Sequence, residues 1–263
     1  MKSGKKKLIR KILLGCVGVG IFLGVWQLLM SMGVISERTM STPGQVLKTF
    51  IYKLRSADPD GATLQEHFLS SFKLAMIGFI TAMVIGIPMG LVMGYFKAAR
   101  LLLNPMFEVI RPIPPIAWIP LIILWCGIGE TSKVIIVFIG AVVPIVLNTY
   151  SGIRQVDPML FKAAKSVGAG DRATMFEVVL PASLPSIVAG MKTSLSTGWM
   201  CVLAAEMVVA RQGVGFLIVR GMDSGDSALI LSGMVVIGVV SALITALLNR
   251  AEVKLCPWRT EQR

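Results

Sequence analysis

Histidine is almost missing from this 263-residue chain, where His67 is the single one. One imidazole cannot build a multi-histidine metal centre, and the local pattern places His67 in a solvated loop, away from any Ser–His dyad. Cysteine is nearly as scarce. Cys16, Cys126, Cys201 and Cys256 are widely scattered, three of them inside apolar runs, so neither a zinc-type close pair nor a disulfide framework is in prospect. Charge is thin as well: 15% of residues are charged against 55% hydrophobic, with a mean hydropathy of +0.77. A soluble domain of this length needs far more charge to cover its surface. A phosphate-cradling G-x-x-x-x-G-K-[ST] loop is also missing, since neither Gly4-Lys5 nor Gly190–Thr193 completes one. Metal, catalytic and nucleotide-hydrolysing sites are therefore not expected on this chain.

Acidic residues number 14 against 26 Lys and Arg, for a net charge of +12. That excess does not point to nucleic acid, because no basic patch interleaves with stacking aromatics. Six of the cations (Lys2, Lys5, Lys6, Lys7, Arg10 and Lys11) precede the first apolar run, where basic residues hold a helix end in the cytoplasm. That run, 12–32, is 21 residues without a charge and has no A-x-A cleavage signal after it, so it reads as a membrane span and not a signal peptide.

Crossing about 30 Å of hydrocarbon takes roughly 20 apolar residues in a helix. Six runs qualify: 12–32, 72–95, 112–128, 133–150, 185–209 and 228–249. The expected fold is an all-α membrane protein of about six spans, one domain over 12–250, with cytoplasmic basic tails at 1–11 and 251–263. An even count puts both termini on one side. With the amino terminus inside, seventeen Lys and Arg fall on cytoplasmic segments and seven on outer ones, with Lys73 and Lys192 inside spans. Acidic residues divide almost evenly, as expected if only positive charges set orientation.

Several stretches carry local punctuation. In the outer segment, Thr42 is an N-cap and Pro43 a first helical residue, ahead of Val46, Leu47, Phe50, Ile51 and Leu54 at helical spacing. A short amphipathic helix is expected there, followed by a turn at Asp58-Pro-Asp-Gly61. Gly86, Gly90 and Gly94 recur every four residues, a spacing that lets a neighbouring helix approach closely in lipid. RPIPPIAWIP places prolines at 112, 114, 115 and 120. Either a broken helix beside a water-filled path or a kinked structural helix fits that run. In the fifth run, Lys192, Ser196, Trp199, Leu203 and Glu206 share one face, opposite a small-residue stripe that includes Gly190, Ser194 and Gly198. Ser196, Trp199 and Glu206 are the candidates for a translocation path. In the alternative reading, Lys192 snorkels to the cytoplasm and Glu206 meets Arg211 or water at the outer edge. At 1.5 Å per residue Lys192 and Glu206 lie about 21 Å apart, too far to pair.

Residues 151–183 form a long polar loop on the side assigned to the cytoplasm. Asp157-Pro158 opens a short helix that Gly168 stops, Asp171 caps a second, Pro181 ends it, and Ser183 caps the next span with Pro185 in its first turn. Such an ordered loop suits either transmission of a push from a partner or a structural hairpin. FKAAKSVGAGDRATMFEVVLPASLPSIVAG resembles the EAA loop of binding-protein-dependent ABC importer permeases, with Ala163, Ala164, Gly168, Leu180, Pro181 and Pro185 at the matching places. Lys162 departs from the pattern, standing where the family usually has a glutamate. RPIPPIAWIPLIILWCGIGE and VLAAEM are similar to the branch that imports nitrate, aliphatic sulfonates or taurine.

The resemblance, over roughly 65–255, implies a type I-like importer fold, with the first short loop helix docking on a cytoplasmic ATPase subunit. It further implies ATP with Mg on that partner and no cofactor on this chain, an external solute-binding protein, and a second permease copy. The setting it implies is a bacterial plasma membrane. A small oxyanion, with a sulfonate ahead of nitrate, is the expected solute. A vitamin or pyrimidine precursor, or an ion-gradient-driven carrier, are the alternatives.

Overall fold

The computed structural model describes residues 2–34, 36 and 40–255. Arg38, Cys256 and the tail over 256–263 lie outside the described residues. Two compact units divide the chain: 1–65 with 217–235, and 66–216 with 236–263.

In the first unit, helix α1 spans Lys2–Ser31. The basic segment 2–11 is helical and continuous with the apolar run, and the stretch apolar enough to span begins at Leu13. Helix α2, Pro43–Lys53, begins where the sequence placed it: Thr42 Oγ1 accepts from the Gln45 amide (3.3 Å) while Gln45 returns a bond to Thr42 N (2.7 Å). This reciprocal cap satisfies two end donors that the helix itself leaves open. Removing the hydroxyl in Thr42→Ala is expected to loosen α2 by about 1 kcal/mol, read as faster amide exchange over 44–46.

The apolar side of α2 turns out differently. Val46 is buried, but Leu47 and Ile51 are exposed, and the buried neighbour is Lys53. Lys53 pairs with Asp60 and donates to the Asp58 (3.1 Å) and Ala62 (2.8 Å) carbonyls, so it staples the 58–61 turn to the helix end. Asp226 Oδ1 accepts from the Ala228 (2.9 Å) and Leu229 (3.1 Å) amides, capping helix α11, Ser227–Leu255.

The second unit is a helical bundle. Its elements are α3 (Leu64–Tyr95), α4 (Lys97–Ile110), a 3-10 turn (Pro115–Trp118), α5 (Ile119–Cys126) and α6 (Glu130–Arg154). Then come α7 (Pro158–Ser166), α8 (Asp171–Ala173), a π-helical segment (Thr174–Val179), α9 (Leu180–Val209) and α10 (Val214–Asp223). Helices α3, α10 and α11 contribute residues to both units. Among the described residues five helices are long and apolar enough to cross a membrane, and a sixth span exists if α4 and the 115–126 pair count together, bent by 87°.

Three expectations about boundaries are corrected. The second span starts at Leu64 and not near 72, because His67, Ser71, Leu74, Ala75 and Gly78 continue the buried helical stripe towards the amino-terminal end. The third run does not form a helix over 112–128: prolines 112, 114 and 115 break the chain between α4 and α5. Eight residues of α5 rise only about 12 Å, so α5 alone cannot cross. Pro181 does not end a helix. The π-helical turns at 174–179 lead into α9, and a proline in a first turn forfeits no intrahelical bond.

Helix α6 is the centre of this unit, packed along α9. On its other side the glycine ladder of α3 meets it. A Cβ on Gly78 would lie 2.6 Å from Val137, on Gly86 2.9 Å from Ile145, on Gly90 2.6 Å from Thr149, and on Gly94 2.7 Å from Ile153. Without side chains on those residues the two backbones approach to direct contact, which strengthens dispersion where lipid gives no hydrophobic drive.

Candidate functional site

Three places in the second unit gather polar groups. The first is buried. On α3, His67 and Ser71 are 0% exposed, and on α9 Glu206 is 1% exposed. Ser71 Oγ donates to the Glu206 carboxylate (2.7 and 2.8 Å) and also lies 3.1 Å from the His67 carbonyl. The chain after α9 then folds back over them. Gly213 N–H donates to His67 Nδ1 (3.0 Å), Val214 N–H to Ser71 Oγ (2.9 Å) and Gly215 N–H to Glu206 Oε2 (3.0 Å).

Gly213 has φ of +134°, and a Cβ on it would fall on the Glu206 carboxylate; one on Gly215 would strike the Leu203 carbonyl. Buried Lys133 on α6 is the cation whose field reaches Glu206. His67 is therefore not a solvated loop residue. It sits inside the bundle because its acceptor nitrogen satisfies a backbone donor of the 210–213 connection. Ser, His and Glu together invite a catalytic reading, but the Ser71 proton is committed to a carboxylate and a carbonyl. The closed burial leaves a substrate no approach. The cluster is a latch that fixes the α9–α10 connection.

The second place is an open cavity of about 510 Å³ between α4, the 3-10 turn, α6 and α9. Its polar lining includes Asn104, Glu108, Arg111, Asn148, Thr193 and Thr197. Glu108 and Arg111 lie three residues apart, so both charges point to the same side of the chain. Trp118 also lines the cavity, and its indole nitrogen is buried with no hydrogen-bond partner among the described residues. Thr193 and Thr197 give their protons to the Ala189 and Thr193 carbonyls (3.1 and 2.9 Å), leaving their oxygens as acceptors.

The sequence candidates for a path are not brought together here. Ser196 is exposed, Trp199 is buried and Glu206 belongs to the latch. Lys192 pairs with Glu252 and donates to Asn249 (2.7 Å) on α11. The cavity's own charges were not singled out in the sequence, because 96–111 entered only as a segment between two apolar runs. Asn148 was legible in principle as an amide inside an apolar run.

The third place is the α6–α9 segment. Asp157 Oδ1 accepts from the Met159 amide (2.8 Å) and opens α7. Gly168, with φ of +78°, closes it: its N–H reaches the Lys165 carbonyl (3.0 Å) and Ala169 N–H reaches Ala164 (3.0 Å), a Schellman end. Ala164 is buried, whereas Lys162, Ala163, Met159, Leu160 and Val167 are exposed. Ile153, Val156 and Val179 form a small core beneath, with Phe161 and Met175 packed on it. Leu180 and Pro181 open α9, and Pro185 lies inside it. Gly152 and Ser186 touch at this end, fixing α9 against α6.

Residues 82–257 match the family described as the binding-protein-dependent transport system inner membrane component. The chain is 32% identical over 257 residues to the taurine transport system permease protein TauC of Escherichia coli strain K12, covering 97% of this chain and 92% of that one. It is 31% identical to the putative aliphatic sulfonates transport permease protein SsuC of Bacillus subtilis strain 168, over 91% of this chain and 85% of that protein. It is also 31% identical to the nitrate import permease protein NrtB of a Synechocystis strain, over 89% and 86%. Among solved structures, inward-facing MetNI methionine ABC transporter superposes with a TM-score of 0.66 at 20% identity, covering 73% of this chain and 95% of that one. That likeness is one of fold.

Proposed function

Because the chain belongs to the family of binding-protein-dependent transport system inner membrane components, we propose that it is the permease of an ATP-driven importer for small sulfonates. The energy comes from ATP and Mg held by separate cytoplasmic ATPase subunits, and the solute from an external binding protein. The observation that carries this reading is α7. It is capped at both ends, backed by its own small core, and presents Met159, Leu160 and Val167 outward. A rigid helix with an apolar exposed face is what a partner needs in order to push on a bundle. Lys162, Ala163, Ala164 and Gly168 belong to this helix and its stop. Leu180, Pro181 and Pro185 connect it to α9, which is packed on α6.

The open cavity supports the solute class. Arg111 is a donor suited to an oxyanion, and Glu108 beside it suits an ammonium. Taurine carries both groups, nitrate only the first. In this reading two copies pair, both termini are cytoplasmic, and the path runs along α4, α6 and α9.

The test is uptake by cells that express the whole transporter, with radiolabelled taurine, an alkanesulfonate without an amine, and nitrate. Sulfonate uptake is expected to stop on deletion of this chain and on depletion of ATP. Arg111→Gln is expected to lower uptake of both sulfonates, and Glu108→Gln that of taurine alone, each about tenfold. Uptake that survives ATP depletion overturns the ATP-driven mechanism, and unimpaired sulfonate uptake after deletion overturns the solute class.

A further inference from the structure

At the end of the bundle that carries α7, a second cavity of about 670 Å³ opens between α3, α4, α6 and α7. Five cations line it: Lys97 and Arg100 from the start of α4, Arg154 from the end of α6, and Lys162 and Lys165 from α7. The one carboxylate is Asp171, whose Oδ1 already accepts from the Tyr95 hydroxyl (3.4 Å). Among the described residues none of the five cations forms an ion pair. Five like charges facing a single carboxylate raise the free energy of the folded state, and an anion placed between them lowers it.

An apolar groove adjoins this cavity. It measures about 300 Å³, and its walls include Leu91 and Val92 of α3 and Phe96 just after it, with Met175 and Phe176 of the π-helical segment. Tyr95 and Asp171 belong to both, so the basic cavity and the groove are continuous. Val92 is 42%, Phe96 53% and Phe176 63% exposed, an unburied apolar strip beside the end of a membrane span. From Pro88 to Tyr95 the groove follows α3 for about 10 Å of helix rise.

We propose that these two adjoining cavities form a binding site for an anionic phospholipid, the phosphate held among Arg100, Arg154 and the lysines, and one acyl chain in the groove. A free anion would use the cations and leave the groove empty. A neutral lipid would use the groove and leave the cations uncompensated. Only an amphiphile with an acidic headgroup uses both, and basic pockets between membrane helices have that chemistry.

The site is distinct from the surface offered to the ATPase. Pro158, Phe161, Lys162 and Lys165 lie at helical spacings of three and four on one face of α7 and line the cavity. Met159, Leu160, Ala163 and Val167 are exposed and do not line it. A bound headgroup would join α7 to the ends of α3 and α6, so lipid and ATPase would act on opposite faces of one helix.

Native mass spectrometry of the full purified chain in detergent tests this, with dioleoyl phosphatidylglycerol as the probe and dioleoyl phosphatidylcholine as the control. Wild-type protein is expected to retain phosphatidylglycerol at least about tenfold better than phosphatidylcholine. Arg100→Gln with Arg154→Gln is expected to remove about tenfold of that preference. Val92→Trp, which fills the groove, is expected to weaken retention with the cations intact. Equal retention of the two lipids by wild-type protein overturns the proposal without reference to any variant. Displacement of phosphatidylglycerol by an equal concentration of glycerol 1-phosphate makes it a site for free anions and also overturns it. So does a double variant that loses ATPase assembly but keeps the lipid preference, which would assign the cations to a protein interface. The readout involves no transport, so it stands or fails separately from the solute assignment.

Discussion

Glu206→Ala is expected to cost the chain about 3 kcal/mol of stability, whereas Glu206→Gln keeps most of the fold. The carboxylate accepts from Ser71 Oγ and from the Gly215 amide, and all of it is buried. In the alanine variant the Ser71 hydroxyl can turn to the His67 carbonyl, 3.1 Å away, but the Gly215 N–H has no second acceptor among its described contacts. An unsatisfied buried donor costs roughly 1–3 kcal/mol, and the void left by the side chain adds to it. Glutamine preserves the volume and one accepting oxygen. The measurement is thermal unfolding of the purified full chain in detergent, where a fall on the order of 10 °C is expected for alanine.

The same network sets a coupling test. Gly213→Ala places a methyl on the Glu206 carboxylate and demands φ of +134° from an alanine, so by itself it is expected to destabilise about as much. Combined with Glu206→Ala, the second substitution costs only the backbone strain, because the obstructing carboxylate has gone. The double variant should therefore be distinctly more stable than the sum of the two losses, by about 1 kcal/mol or more. Simple additivity would deny that Gly213 and Glu206 form one latch. A Glu206→Gln chain with unchanged unfolding but no solute uptake would instead return Glu206 to the translocation path.

Short-range signals in this sequence proved readable where the partner of each group is near in the chain. Thr42 with Gln45, Asp157 with Met159, and Gly168 with Lys165 are caps closed within three residues, and the sequence placed all three helix ends. His67 was misread because nothing around it discloses its partner, which is a backbone amide 146 residues later. Helix α4 was missed for a different reason. It is amphipathic and, at 14 residues, too short for a span: Leu101, Leu102, Met106 and Val109 are exposed while Asn104 and Glu108, with Arg111 at its end, line a cavity. Prolines 112, 114 and 115 announced a break but not which side of it would be helical, since a proline ends one helix as readily as it begins another. The turn at Pro181 was lost because a π-helical segment accommodates it, and no residue type marks such a segment in advance.

Gly90→Ala is expected to separate α3 from α6 and lower stability by about 2–3 kcal/mol, with Gly90→Val worse. The added Cβ would lie 2.6 Å from the Thr149 Cβ and 2.8 Å from the Val146 carbonyl oxygen. One obstacle is the root of a β-branched side chain and the other is backbone, so neither can swing aside as a flexible tip would. Relief requires the two helices to move apart, which would disturb the neighbouring contacts at Gly86 with Ile145 and Gly94 with Ile153. Gly24→Ala on α1 is the control, since among the described residues no atom beyond its own helical turn lies within 4 Å of its added Cβ. There the substitution should be neutral or stabilising by about 0.5–1 kcal/mol, the ordinary preference of a helix for alanine. Unfolding in detergent, compared for the two variants, gives opposite signs if α3 and α6 are in backbone contact. A Gly90→Ala protein as stable as Gly24→Ala would mean that the glycine ladder tolerates side chains. The helix contact would then be looser than the one described.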